Sequence, residues 1–192
     1  MTHHNLADLG PLAALAGVWE GDKGDDVAPS DDRGTETNKY RERMTFIPIG
    51  AVDNHEQKMF GLRYATVAYR IGIPDPFHEE VGYWIWEPAH KQVLRCFLIP
   101  RGISIIAGGK VDPGATAFRL TAEVGSVTHG ICSNEFLDRE FKTLKYTMDL
   151  KFLGPDSLSY DQTTTLQIKG QPQPFAHTDK NMLKRVERAP GY

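Results

Sequence analysis

The chain of 192 residues contains only two cysteines, Cys96 and Cys132. That is too few for a disulfide framework or a cysteine-built zinc site, and both lie in strand-like runs, where they read as buried thiols. Long apolar runs are missing as well. No stretch approaches the roughly 18 to 20 residues that span a bilayer, so no membrane partner is expected. Positive charge is not in excess: 22 Lys and Arg against 25 Asp and Glu give a net charge of −3. No overall basic field exists to hold nucleic acid phosphates or anionic lipid. The opening MTHHNLADLG lacks a basic n-region and the apolar PLAALAGVW is short, so no signal peptide is expected and a cytoplasmic, reducing location is.

Helical pattern is scarce too. Leu6, Leu9, Leu12 and Leu15 recur every third residue behind Asn5, a candidate N-cap, and Gly17 stops the run. Gly10 and Pro11 shorten or break this helix, which is read as a cap over residues 1–16. Residues 21–38 are acidic, rich in Gly and Asp and nearly free of large apolar side chains, so a mobile loop is expected there.

From Lys39 onward the period is two. Tyr40, Glu42, Met44 and Phe46 alternate with Arg41, Arg43, Thr45 and Ile47, and eight or so further strand-like runs follow. Turn chemistry separates them, at residues 73–76, 87–90, 112–114 and 154–156. Without helix-length segments between strands, a parallel βαβ fold is excluded. The pattern predicts an all-β fold, an antiparallel up-and-down β-barrel of about ten strands with a short N-terminal helix, as one domain over residues 1–192. Closure removes exposed strand edges, and a barrel of this size holds one small ligand.

Familiar catalytic templates are absent. There is no Gly-x-Ser-x-Gly elbow, phosphate loop, dinucleotide fingerprint or His-Glu-x-x-His. Asp22, Asp25, Asp26, Asp31 and Asp32 do not have calcium-loop spacing. The histidines are the more informative residues. His78 follows Asp75-Pro76 at a strand start, where a bond to Glu79 or Glu80 would account for it. His129 alternates with Val127 and Ile131, which gives it their face, in the core or in a pocket. His177 sits in a polar stretch near the end. His3 and His4 belong to the terminus, His55 and His90 to turns. Arg63, Arg70 and Arg101 are candidates to meet an anionic head group. Trp19 is expected to plug one barrel end, with Arg185 or Arg188 stacked on it.

Three motifs carry a resemblance. Gly17-Val18-Trp19-Glu20-Gly21-Asp22-Lys23-Gly24 is similar to the Gly-x-Trp-x-Gly-x-Gly opening of the nitrobindins, calycin-like heme-binding β-barrels also found as a C-terminal domain in some THAP proteins. Phe77-His78-Glu79-Glu80-Val81-Gly82-Tyr83 resembles their apolar-His-x-Glu-x-Gly-Tyr stretch. Pro174, His177, Leu183 and Arg185 resemble the family's final His-…-Leu-x-Arg, at an interval about one residue longer. The family's Arg after Gly-Tyr-x is missing from the run Gly82-Tyr83-Trp84-Ile85-Trp86, whose Trp84 and Trp86 share one face and would narrow the cavity if that face is inward.

The resemblance implies a ferric heme b in a barrel mouth, with His177 as the axial iron ligand and His78 beside Phe77 on the open face. His129 is a further candidate for the pocket. Asp179 or a local carbonyl is a candidate to accept from the second nitrogen of His177. The implied ligands are nitric oxide and peroxynitrite, with isomerisation of the latter to nitrate if heme is bound. The alternative is a heme-free intracellular carrier or sensor of an apolar small molecule. Whether the protein forms a homodimer stays open.

Overall fold

The computed structural model describes residues 5–189. His3 and His4 lie outside them. Within this range a 3₁₀ segment, Leu6–Leu15, precedes eleven strands: β1 (Gly17–Pro29), β2 (Thr35–Asn54), β3 (Gln57–Arg70), β4 (Pro76–Glu87), β5 (Gln92–Ile99), β6 (Ile103–Lys110), β7 (Ala117–Val124), β8 (Gly130–Ser133), β9 (Phe141–Gly154), β10 (Ser157–Ile168) and β11 (Phe175–Arg188). One short helix, α1 (Glu135–Glu140), stands before β9. The strands close into a barrel in the order β1-β11-β10-β9-β7-β8-β6-β5-β4-β3-β2.

Two expectations about the strands need correction. The barrel is mixed, because β8 pairs parallel to β7 through Glu123–Gly130 and Val124–Ile131. A tight loop over residues 125–129 causes this. Its Gly125 takes φ +82°, and Ser126 Oγ accepts from the backbone of Thr128 and His129. The acidic stretch 21–38, expected to be a mobile loop, is mostly strand. The β1–β2 ladder runs from Gly17–Phe46 out to Pro29–Thr35. Its inward positions on β1 are Gly24, Asp26 and Ala28, so the alternation has no large apolar mark. Gly24 is required there, since a Cβ would fall 2.5 Å from the Tyr40 ring.

The N-terminal segment closes one end. Asn5 caps it, its side chain accepting from Ala7 N at 3.1 Å. Gly10 takes φ +53° and breaks the helix ahead of Pro11. A Cβ at Gly10 would meet the Trp86 indole at 2.6 Å. Leu9, Leu12 and Leu15 are buried on the barrel floor with Trp19, Trp84 and Trp86. The two tryptophans of β4 thus face inward, but they fill the floor and leave the opposite end open. Trp19 Nε1 donates to Leu15 O at 2.8 Å, and the Arg185 guanidinium stacks 4.3 Å above the Trp19 ring. The same arginine donates to the carbonyls of Ala14 and Ala16. Motif residues far apart in sequence therefore form one plug.

The expected burial of both thiols is also corrected. Cys96 is partly covered and Cys132 is exposed. Cys132 pairs with Ser104, whose side chain alternates outward from the buried Ile103 and Ile105.

Candidate functional site

The open end leads into a cavity of about 740 Å³, within the range of about 300 to 1,000 Å³ usual for small-molecule sites. One wall is apolar: Phe97, Ile99, Ile103 and Ile105 from β5 and β6, Leu137 from α1 and Phe141 from β9. The other wall and the deep end are polar. Glu42, Arg95, Tyr160 and Asp179 line them.

His177 is brought into the cavity by β11. The strand pairs with β10 without a register break from Phe175 to Lys184. His177, Asp179, Asn181 and Leu183 stand at even intervals and so share the inner face. The interval from His177 to Leu183 therefore holds no bulge; the irregularity in β11 comes later, at Val186, where Val18 pairs with Glu187 and Trp19 with Arg185. The His177 ring is half-buried, and its Nε2 lies 2.8 Å from Asp26 Oδ1. Burial alone would lower the His177 pKa, but the bond to Asp26 and its charge outweigh this and raise it. Burial alone would raise the Asp26 carboxyl, but bonds from His177 and Asn38 hold it below its usual range. The second partner of the histidine is thus Asp26 from β1, where the sequence suggested Asp179.

His78 reaches the cavity from β4. Its Nε2 lies 3.0 Å from Glu80 Oε1, one of the two partners anticipated. Burial pushes the His78 imidazole down to about 4, helped by the positive charges of His177 and Arg95, so the ring is neutral near pH 7. Phe77 lines the same cavity. Its ring lies 4.7 Å below the Arg70 guanidinium and 6.0 Å from the Tyr40 ring. Arg70 and Arg101 border the cavity, whereas Arg63 points outward and is exposed.

His129 is elsewhere. It belongs to the loop 125–129, where strand alternation does not apply and Val127 is 99% exposed. Its ring covers Gly108, a position whose missing side chain makes the room. Gly108 alternates outward from the buried Ile105 and Ala107 on β6, so His129 packs on the outer wall.

A buried polar network under the histidines was not anticipated as a unit. Arg95, 2% exposed, donates to Glu80 Oε2 at 2.5 Å, to Tyr64 Oη at 2.8 Å and to Gln162 Oε1 at 3.0 Å. Gln162 donates to Asp179 Oδ2 at 2.7 Å. Glu42 Oε1 accepts from Tyr160 Oη and Asn181 Nδ2, both at 2.7 Å. Burial raises both the Glu42 and Asp179 carboxyls to about 7. The signal for Glu42 was present, because it alternates with Tyr40, Met44 and Phe46 on the inward face of β2.

The rim is held by ionic contacts. The β1–β2 turn crosses to α1 and to the end of β10: Arg33 donates to Glu140 Oε2 and to Lys169 O, both at 2.9 Å. Lys169 Nζ also reaches Glu140 at 3.0 Å. Arg33, Lys169 and Arg139 together pull the Glu140 carboxyl down to about 2.

A closed barrel with a plugged floor, an open mouth and imidazoles on its inner wall has the form of a ligand-binding β-barrel. The family described as THAP4-like, heme-binding beta-barrel domain matches residues 8–185, and the chain belongs to that family. A crystal structure of Rv2717c from M. tuberculosis resembles it with a TM-score of 0.65 at 22% sequence identity, covering 95% of this chain and 99% of that one. That likeness shows the shared barrel fold. No curated protein matches the sequence.

Proposed function

We propose that the cavity binds a ferric heme b through His177, with His78 and Phe77 on the opposite face of the group, and that the loaded protein binds nitric oxide and isomerises peroxynitrite to nitrate. The observation that carries this reading is the convergence of His177 from β11 and His78 from β4 on one cavity in a chain of the heme-binding family. The residues fit the group. The wall from Phe97 to Phe141 offers apolar surface to a macrocycle. His177 presents a half-buried ring to the cavity, and a neutral imidazole nitrogen is a good iron ligand.

When bound, heme supplies an iron centre able to take small nitrogen oxides. The chain supplies the surroundings. Isoleucines of β5 and β6 exclude water from one side. His78, kept neutral by burial, faces the cavity with its Nε2 tied to Glu80, so it offers bulk and polarity without positive charge. Asp26 fixes the ring of His177.

A hemin titration followed in the visible spectrum tests this. The purified protein is expected to give a saturable, shifted Soret band. His177→Ala is expected to lose it, His78→Ala to keep binding with an altered spectrum, and His129→Ala to match the unmodified protein. With heme bound, stopped-flow decay of peroxynitrite should accelerate and yield nitrate. A protein that shows no saturable heme binding would instead favour a heme-free carrier of an apolar ligand, to be sought by mass spectrometry of an extract.

A further inference from the structure

We propose that Arg70 is a positioning residue for the cavity mouth: it clamps the Phe77 ring against Tyr40 and so sets how far that ring screens the open face of the guest. The clamp is read from the chain alone, and its effect on small-ligand entry rests on the heme reading above. Phe77 owes its place to a bulge. In the β3–β4 ladder Ala68 pairs with His78 and Tyr69 with Pro76, so Phe77 is the extra residue without a partner. On its other side β5 pairs with β4 only from Val81 onward. Strict alternation would send one of two successive side chains outward. A bulge re-aims a side chain, and here both Phe77 and His78 line the cavity. With no neighbour in either ladder, the ring depends on side-chain contacts for its position.

Two residues supply those contacts. Arg70 and Tyr40 stand opposite each other in the β2–β3 ladder. The Arg70 guanidinium lies 4.7 Å from the Phe77 ring centre, within the distance at which a ring face attracts a cation. The Tyr40 ring meets Phe77 at 6.0 Å and 65°, edge to face, an arrangement that aromatic pairs favour. Both holders are tethered in turn. Arg70 Nε donates to Asn38 Oδ1 at 2.8 Å, and Nη2 donates to Glu36 Oε1 at 3.3 Å. Asn38 Nδ2 donates to Asp26 Oδ2 at 2.9 Å, and Tyr40 Oη lies 2.6 Å from Tyr160 Oη. The planar fork of Arg70 thus bridges β2 and the bulge, a task that the point charge of a lysine does not reproduce.

The test places 4-fluorophenylalanine at position 77 of the full-length protein. In the heme-free state, Arg70→Ala is expected to shift the ¹⁹F signal and to narrow it toward that of a freely turning ring. Arg70→Lys is expected to do the same by less, and it serves as the test if Arg70→Ala does not fold. The Arg70 side chain is 42% exposed. In the heme-loaded state, carbon monoxide recombination with ferrous heme after flash photolysis is expected to be about two- to fivefold faster in Arg70→Ala, the population ratio that one exposed cation–π contact sustains. Phe77→Ala is expected to be faster too, and adding Arg70→Ala to it is expected to change nothing, because Arg70 acts only through the ring. An unchanged fluorine signal in a folded Arg70 variant would overturn the role, as would equal acceleration in both backgrounds. So would a loss of hemin affinity in Arg70→Ala that disappears with hemin dimethyl ester, which would assign Arg70 to a propionate. Absence of saturable hemin binding would instead sink the heme reading, and the fluorine signal of the heme-free protein then decides the clamp alone.

Discussion

At the scale of single residues, the inward face of this barrel breaks the rule that a strand's buried side is apolar, and its buried carboxylates are each hydrogen-bonded. Glu42 is the clearest case. It is 5% exposed, accepts from Tyr160 and Asn181, and has its pKa raised by burial to about 7. A carboxyl whose folded pKa exceeds its unfolded value binds more protons when folded. Stability therefore falls as pH rises from about 4.5 to about 7 and levels off above. Glu42→Gln keeps an acceptor for both donors and removes the titration. It is expected to flatten that part of the pH–stability curve and to gain about 1–3 kcal/mol at pH 8, measured by urea unfolding. His78 and His177 could be singled out from sequence by motif, but their opposite pKa shifts could not. One is set by burial and nearby cations, the other by a carboxylate that lies 151 residues away in sequence.

Among the elements, the β1–β2 hairpin differs most from what its composition suggested. Aspartate and glycine normally mark a solvated loop. Here alternate aspartates divide between the two faces, Asp25 pairing with Lys39 outside and Asp26 with His177 inside. The turn at its end is tied to α1 and to Lys169 through Arg33 and Glu140. Arg33→Ala is expected to loosen this strap, seen as faster proteinase K cleavage within residues 30–34 at pH 7 with the remaining barrel intact. Acid should act alike. The Glu140 pKa is depressed to about 2, so its contribution is full above about 4.5 and is lost as pH falls toward 2. Cleavage of the unmodified protein at the turn should rise across that window. Strand β11 showed no fixed period in its residues. Its inward row of His177, Asp179, Asn181 and Leu183 mixes polar and apolar side chains, because the strand runs from the polar mouth to the apolar floor.

For the molecule as a whole, the two barrel ends divide the labour. The floor gathers Leu9, Leu12, Leu15, Trp19, Trp84 and Trp86 into one cluster, with Arg185 stacked on Trp19. This apolar plug sits opposite a mouth rich in ionisable groups, so the rigid end supports a site that must stay open. Trp19→Ala removes a fully buried ring and its bond to Leu15. It is expected to cost about 3–5 kcal/mol, measured by chemical unfolding, and to free the N-terminal segment from the floor.

The sequence by itself determined the strand count to within one, the barrel, the N-terminal cap, the tryptophan plug and the family, because period-two burial, turn residues and the Gly-x-Trp opening are local signals. It also put His177 and His78 forward. Only the tertiary structure decided that His129 lies outside, that the acidic stretch is a paired hairpin, that β8 runs parallel to β7, and that Asp26 is the partner of His177. Each of these depends on which strands become neighbours when the sheet closes, and closure joins β1 to β11 across nearly the whole chain. Hydrogen bonds and burial then assign a face and a charge to side chains that alternation alone leaves undecided.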